Sequence, residues 1–270
     1  MQSKNRPKTY YLDLAGFNLK VEFAKGKLTL LNNLSYQYLQ KFYIQRFYKL
    51  NHQKKRVDFE IKIVPESNQT YAIERLNKKY FFLNYEIDFD RKIAWLYSSS
   101  LASINFLFKE VLSFLLDKNG LLLHCSSVID GKNKLFIFLG KSGSGKTTTA
   151  NLLAKEGFRK FSDDSLVAKK ENGRWFYYSP PYIEKEEPPL SISAKDANFY
   201  FIEKSSNTTV QKMKNTPSII KAIMKQIWTR KGNVSENVLK NILNLVSNNN
   251  FYKLKIRRDG NNLAKKIYET

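Results

Sequence analysis

Leu135-Phe136-Ile137-Phe138-Leu139, followed directly by Gly140-Lys141-Ser142-Gly143-Ser144-Gly145-Lys146-Thr147, is the stretch on which the fold of this 270-residue chain turns. Five consecutive apolar residues read as a buried strand, and the octet after them matches the pattern G-x-x-x-x-G-K-[ST] in full. Thr148 to Glu156 then reads as a helix closed by Gly157. Each part of the octet has a physical role. The glycines let successive backbone N–H groups converge on one anion, and the helix aims its positive N-terminal end at the same place. A lysine at position 146 neutralises charge on the β and γ phosphates of a nucleoside triphosphate, and the hydroxyl of Thr147 suits Mg²⁺. The pattern therefore predicts a nucleoside-triphosphate site with Mg²⁺, lined by Gly140, Ser142, Gly143, Ser144, Gly145, Lys146, Thr147 and Thr148.

Two flanking features bear on chemistry. Downstream, Phe161-Ser162-Asp163-Asp164 places adjacent carboxylates at the end of a short strand, read as part of Phe161 to Val167. Neighbours in a strand face opposite sides, so one carboxylate can serve phosphate chemistry while the other meets a metal or a basic partner. An Asx turn or a helix cap would use the same residues. Upstream, His124 falls inside the apolar stretch Leu121 to Ile129, read as one strand. A lone histidine there is ordinarily a satisfied core residue, and a catalytic role stands beside that reading. Cys125 points to the opposite face as a small buried hydrophobe.

Working outward, Phe17 to Phe23 and Phe59 to Ile63 alternate apolar and polar residues as half-buried strands do, and Tyr85 to Tyr97 alternates about Asp90-Arg91 as a hairpin. The first segment, 1–98, is therefore expected to be a small antiparallel, β-rich domain, and 99–270 a catalytic domain. Ser98 to Ser100 supplies an N-cap for a helix carrying Ile104, Leu107, Phe108, Val111, Phe114 and Leu115, ended by Asn119-Gly120. A turn at Asp130-Gly131 makes the strand entering the octet antiparallel to its predecessor, so the sheet is mixed. Further elements are a hairpin at Asn172-Gly173, a proline-rich surface loop from Tyr178 to Pro189, a strand from Ala197, two helices around Ile223 and Leu243, and a last strand from Tyr252 to Arg257.

A net charge of +22 favours acidic partners without choosing among nucleotide, nucleic acid, acidic peptide and anionic lipid, and a lysine-rich composition alone makes surfaces basic. One cysteine excludes an internal disulfide framework and a cysteine-rich zinc site, and the polar start at Met1 to Lys8 does not read as a signal peptide. No apolar run is long enough for a membrane span, so a soluble, cytoplasmic protein is expected.

His124-Cys125-Ser126-Ser127, the octet, and Gly157 through Asp164 stand in an order and spacing that resembles the catalytic core of the HPr kinase/phosphorylase family, and most of all its stand-alone relatives. The resemblance covers about Ser99 to Ile202. It implies an α/β (α+β) P-loop kinase core with a mixed sheet of the HPr kinase/PEP carboxykinase type, behind a small β-rich domain that Tyr11 to Phe17 also resembles. It implies an ATP-dependent serine kinase with His124, Lys146 and Asp164 as catalytic residues, Asp164 as general base, and Thr147 and Asp163 toward the metal. The family's metal-binding glutamate falls on Glu184 or Glu203. HPr kinases proper carry a glycine-rich signature that is absent between Ser165 and Lys204, which points away from HPr itself and toward another peptide or protein, a ribosomally made precursor peptide included. A nucleic-acid-associated ATPase and a nucleotide sensor without turnover remain competing readings, and a homo-oligomer is compatible with all of them.

Overall fold

The computed structural model describes residues 9–23, 39–44, 47, 55–64, 72–76, 79–97, 101–180, 193–229, 234–257, 260 and 262–269. The N-cap at Ser98 to Ser100, residues 181–189 of the proline-rich loop and Glu184 lie outside them. By its internal contacts the chain forms two compact units, Met1–Leu115 and Leu116–Thr270.

In the first unit, β1 (Thr9–Leu14), β2 (Phe17–Phe23), β3 (Phe59–Ile63), β6 (Tyr85–Asp88) and β7 (Ile93–Leu96) form one sheet in the order β1-β2-β3-β7-β6, while β4 (Ala72–Leu76) and β5 (Lys79–Leu83) pair separately. Leu19, Val21, Phe23, Phe59, Ile61 and Ile63 are buried, as the alternation requires. The sheet is not antiparallel throughout: β2–β3 and β3–β7 are parallel. Period-two alternation reports which residues face the core but not the direction of the neighbouring strand, and the stretches between these strands are long enough for crossovers. The hairpin β6–β7 is antiparallel, as its turn predicts. Helix α1 (Leu101–Leu116) packs Phe108 on Tyr43, with ring centroids 4.3 Å apart, and Phe114 on Phe59 at 6.1 Å. It ends before Asn119-Gly120, because Gly120 already belongs to the next strand, where a Cβ would stand 2.8 Å from the Ala168 carbonyl oxygen.

The second unit holds the octet. Its elements are β8 (Gly120–Leu123), β9 (Ser126–Ile129), β10 (Leu135–Leu139), α2 (Lys146–Lys155), β11 (Arg159–Ser162), β12 (Leu166–Glu171), β13 (Arg174–Tyr178), β14 (Ser193–Ala194), β15 (Ala197–Lys204), β16 (Thr209–Lys212), α3 (Thr216–Met224), α4 (Glu236–Asn248), β17 (Asn250–Ile256) and α5 (Leu263–Tyr268). A six-stranded sheet runs β11-β9-β10-β15-β17-β16 and a four-stranded one β14-β13-β12-β8. The larger sheet is mixed: β10 is antiparallel to β9 but parallel to β15, which is parallel to β17. Asp130 makes the β9–β10 turn, its Oδ1 accepting the N–H groups of Lys132 and Lys134 at 2.9 Å each. The chain as described is thus a mixed α/β protein with several mixed sheets.

Continuous apolar composition in β10 follows from burial on both faces. Leu135, Ile137 and Leu139 join a core with Leu123, Leu166 and Tyr177 of the smaller sheet and Ile223 and Leu245 of α3 and α4. Phe136 and Phe138 face the other way, onto Ala150 and Leu153 of α2 and Ile267 of α5. Because α2 is clamped on β10 by that second core, the loop between them has both ends anchored. No helix among the described residues is long and apolar enough to cross a membrane.

Candidate active site

Two sequence expectations are corrected at the site. Leu121 to Ile129 is not one strand but two, β8 and β9, and Phe161 to Val167 likewise divides into β11 and β12. Both breaks move the chain from one sheet to the other at the same place: Leu123 pairs with Leu166 in the smaller sheet, while Ser127 pairs with Ser162 in the larger. His124-Cys125 and Asp163-Asp164-Ser165 are therefore paired links between two sheets. The Cys125 N–H donates to the Asp164 carbonyl at 3.2 Å, and the His124 N–H donates to the Gln226 carbonyl at 2.6 Å. Hydrophobic pattern alone does not reveal such a switch, since every residue of β8 and β9 is buried.

Asp164 takes a left-handed backbone conformation, φ +73°. Such a conformation costs a residue with a Cβ about 1–2 kcal/mol, and it turns the two carboxylates to different partners. Oδ1 of Asp163 accepts the Ser126 hydroxyl at 2.6 Å and the Thr147 hydroxyl at 2.9 Å, and these two hydroxyl oxygens lie 3.3 Å apart. Oδ1 of Asp164 stands 3.1 Å from Nδ1 of His124, and its Oδ2 accepts the Ser165 hydroxyl at 3.1 Å. The Asp164 side chain is 8% exposed, that of His124 44%. A carboxylate only accepts, so Nδ1 carries a proton, and in the neutral imidazole this tautomer leaves the lone pair on Nε2. Cys125 between them is fully buried, and burial pushes its thiol up, so it stays neutral.

Gly140 opens the loop at φ +153°, where a Cβ would come within 2.6 Å of the Ser144 hydroxyl oxygen. Lys146, buried at the first position of α2, folds its ammonium back over the loop, donating to the Gly140 carbonyl at 2.9 Å and the Lys141 carbonyl at 3.4 Å. Thr149 bonds the Gly145 carbonyl through both its N–H and its hydroxyl, each at 2.8 Å, which ties the loop to the helix.

Loop, hydroxyls and both carboxylates meet in one cavity of about 270 Å³. Ser142, Gly143, Gly145, Lys146, Thr147 and Thr148 line it together with His124, Asp163 and Asp164. Gly140 and Ser144 lie behind this wall, Ser144 facing a neighbouring cavity. Glu203 is not on the wall; its carboxylate pairs with Lys253 at 2.9 Å. Two lining residues escape the sequence reading, Ser126 and Lys204. Ser126 sits two positions after His124, a strand-type spacing that could have flagged it. Lys204 had no local signal, since only the parallel pairing of β10 and β15 brings the end of β15 beside the loop.

These oxygens fit a hard cation. Ser126, Thr147 and Asp163 present three hydroxyl or carboxylate oxygens within 3.3 Å of one another, with no sulfur or imidazole among them.

No protein-family model matches the chain, and no curated protein does. Among solved structures it is similar to the HPr(Ser) kinase/phosphatase from Coxiella burnetii, at 14% identity and a TM-score of 0.32, over 55% of this chain and 86% of that one. A likeness of that size carries no inference about activity, and the functional reading rests on the chain's own geometry.

Proposed function

We propose that this chain is an ATP-dependent phosphotransferase with a P-loop core, moving the γ-phosphate to a serine hydroxyl on a peptide or protein. The observation that carries this reading is the convergence, in one cavity, of a glycine-rich loop with its lysine and a His124–Asp164 pair. An anion-binding loop alone would support binding only; a hydrogen-bonded acid–base pair lining the same cavity supports chemistry.

Each residue then has a task. Backbone N–H groups of the loop and the first turn of α2 hold the phosphates, with Lys146 turning from the carbonyls of Gly140 and Lys141 to the β and γ oxygens. Thr147 and Asp163, with Ser126, would hold Mg²⁺, which when bound neutralises charge on the phosphate chain. The acceptor hydroxyl gives its proton to Nε2 of His124, its oxygen bonds to the γ phosphorus, and the bond from that phosphorus to the bridging oxygen of ADP breaks. Asp164 holds the imidazole in the required tautomer and stabilises the imidazolium that forms. The family resemblance gives the base role to Asp164 itself. Burial of its carboxylate and the engagement of both its oxygens by His124 and Ser165 favour instead the pair acting as a unit, with His124 reaching the substrate.

The test is transfer of label from γ-labelled ATP, with Mg²⁺, to serine-containing acidic peptides and small proteins. Wild type is expected to label an acceptor, and Lys146→Ala and Asp164→Asn to lose it by about a hundredfold or more. Binding of ATP that depends on Lys146, with no acceptor ever labelled and ADP never released, would overturn the kinase reading in favour of a nucleotide sensor.

A further inference from the structure

Next to the site lies a second cavity of about 420 Å³, walled by Thr148, Leu152, Lys204, Ser205, Ile256 and Arg257. Nothing in the reaction above uses it. It adjoins the first cavity, since Gly145, Thr148 and Lys204 line both. We propose that this cavity holds the ribose and base of the nucleotide whose phosphates the loop takes; the proposal rests on the kinase reading only in its assignment of the loop to phosphates.

Topology places the cavity. β15 and β17 run parallel to β10, so the residues at their C-terminal ends fall beside the loop that follows β10, in the crevice at the carboxyl ends of parallel strands. Lys204-Ser205 and Ile256-Arg257 are those residues, and the Ser205 N–H fastens the two ends by donating to the Ile256 carbonyl at 3.0 Å. The floor is the side of α2. Leu152 is seated against Gly260, where a Cβ would come within 2.6 Å of its Cδ1, so backbone closes over the far side of that leucine.

The chemistry of the walls suits a nucleoside. Leu152 and Ile256 offer apolar surface to a flat heterocycle, and the guanidinium of Arg257 can stack on such a ring. Lys204 stands where the two cavities meet, the place a phosphate chain crosses on its way to the ribose. The volume lies within the range of about 300–1,000 Å³ usual for small-molecule pockets. A molecule that fills both cavities binds more tightly than one that fills the first alone, and this difference separates the proposal from its premise.

Calorimetric titration of the full chain with Mg·ATP and with inorganic tripolyphosphate reads that difference. Wild type is expected to bind ATP at least roughly tenfold more tightly than tripolyphosphate. Ser205→Trp, at the partly exposed mouth, is expected to bring the two affinities together by weakening ATP while leaving tripolyphosphate unchanged. Arg257→Ala, which adds no bulk, is expected to weaken ATP alone by about threefold to tenfold. Equal affinities in the wild type, or a loss in Ser205→Trp and Arg257→Ala that is the same for both ligands, would overturn the nucleoside assignment with the phosphate loop intact. If tripolyphosphate does not bind wild type, or binds Lys146→Ala equally well, the reading of the loop itself fails and takes this proposal with it.

Discussion

His124 and Asp164 face each other at 3.1 Å across two chain links that each leave one sheet for the other, and the backbone of Asp164 accepts the N–H of Cys125 beside the histidine. A pair held from both sheets in this way has little freedom to separate. If they act as one base, His124→Gln and Asp164→Asn should each lower kcat about 10²–10⁴-fold, and the double variant should lose little more than the worse single. Phosphoryl transfer by all three variants checks this, and losses that multiply would show two independent residues.

Backbone strain at Asp164 makes a separate prediction about stability. Asp164→Ala and Asp164→Gly both delete the carboxylate, but only alanine must hold φ +73° with a Cβ. The alanine variant should therefore be the less stable by about 1–2 kcal/mol, read from urea unfolding of the two proteins side by side.

Alkaline pH should weaken the fold. Burial pushes the Cys125 thiol up, and burial likewise pushes up the Tyr177 phenol. Both acids stay neutral when folded and ionise at ordinary values when unfolded, so the folded state binds more protons and stability falls as pH rises past about 9. Urea midpoints at pH 8 and pH 10 should differ in that direction, and Cys125→Ala should shrink the difference. In the wild type Cys125 should resist alkylation until the chain unfolds.

Metal dependence should follow Asp163. Asp163→Asn is expected to raise the Mg²⁺ concentration needed for half-maximal activity about 10–100-fold, with Ser126→Ala producing a smaller shift because it removes a neutral oxygen rather than a charge. A Mg²⁺ titration of transfer rate, read as half-saturation rather than maximal rate, separates this from damage to the His124–Asp164 pair.

How far the sequence could be read differs from element to element for physical reasons. The strand before the octet and the helix after it were legible because an apolar run that ends at a glycine-rich loop, and a helix that starts after it, are local signals. Asn172-Gly173 was legible as a hairpin turn on the same ground. Sheet direction in the first unit was not, because alternation in β2 and β3 is identical for parallel and antiparallel neighbours. Nor was the break at His124-Cys125 or at Asp163-Asp164-Ser165, because β8 and β9 are buried throughout and show no change of alternation, and a polar residue in a strand does not say which sheet the next residues join.

The sequence by itself therefore determined the parts: a glycine-rich loop, two carboxylates, a histidine, and the strand and helix that hold the loop. Only the tertiary structure decided how they pair: Asp163 with Thr147 and Ser126, Asp164 with His124, and Lys204 beside the loop. The reason is that the first set depends on bonding between near neighbours in the chain. The second depends on which strands of two sheets lie side by side, and that is settled by burial of surfaces far apart in sequence.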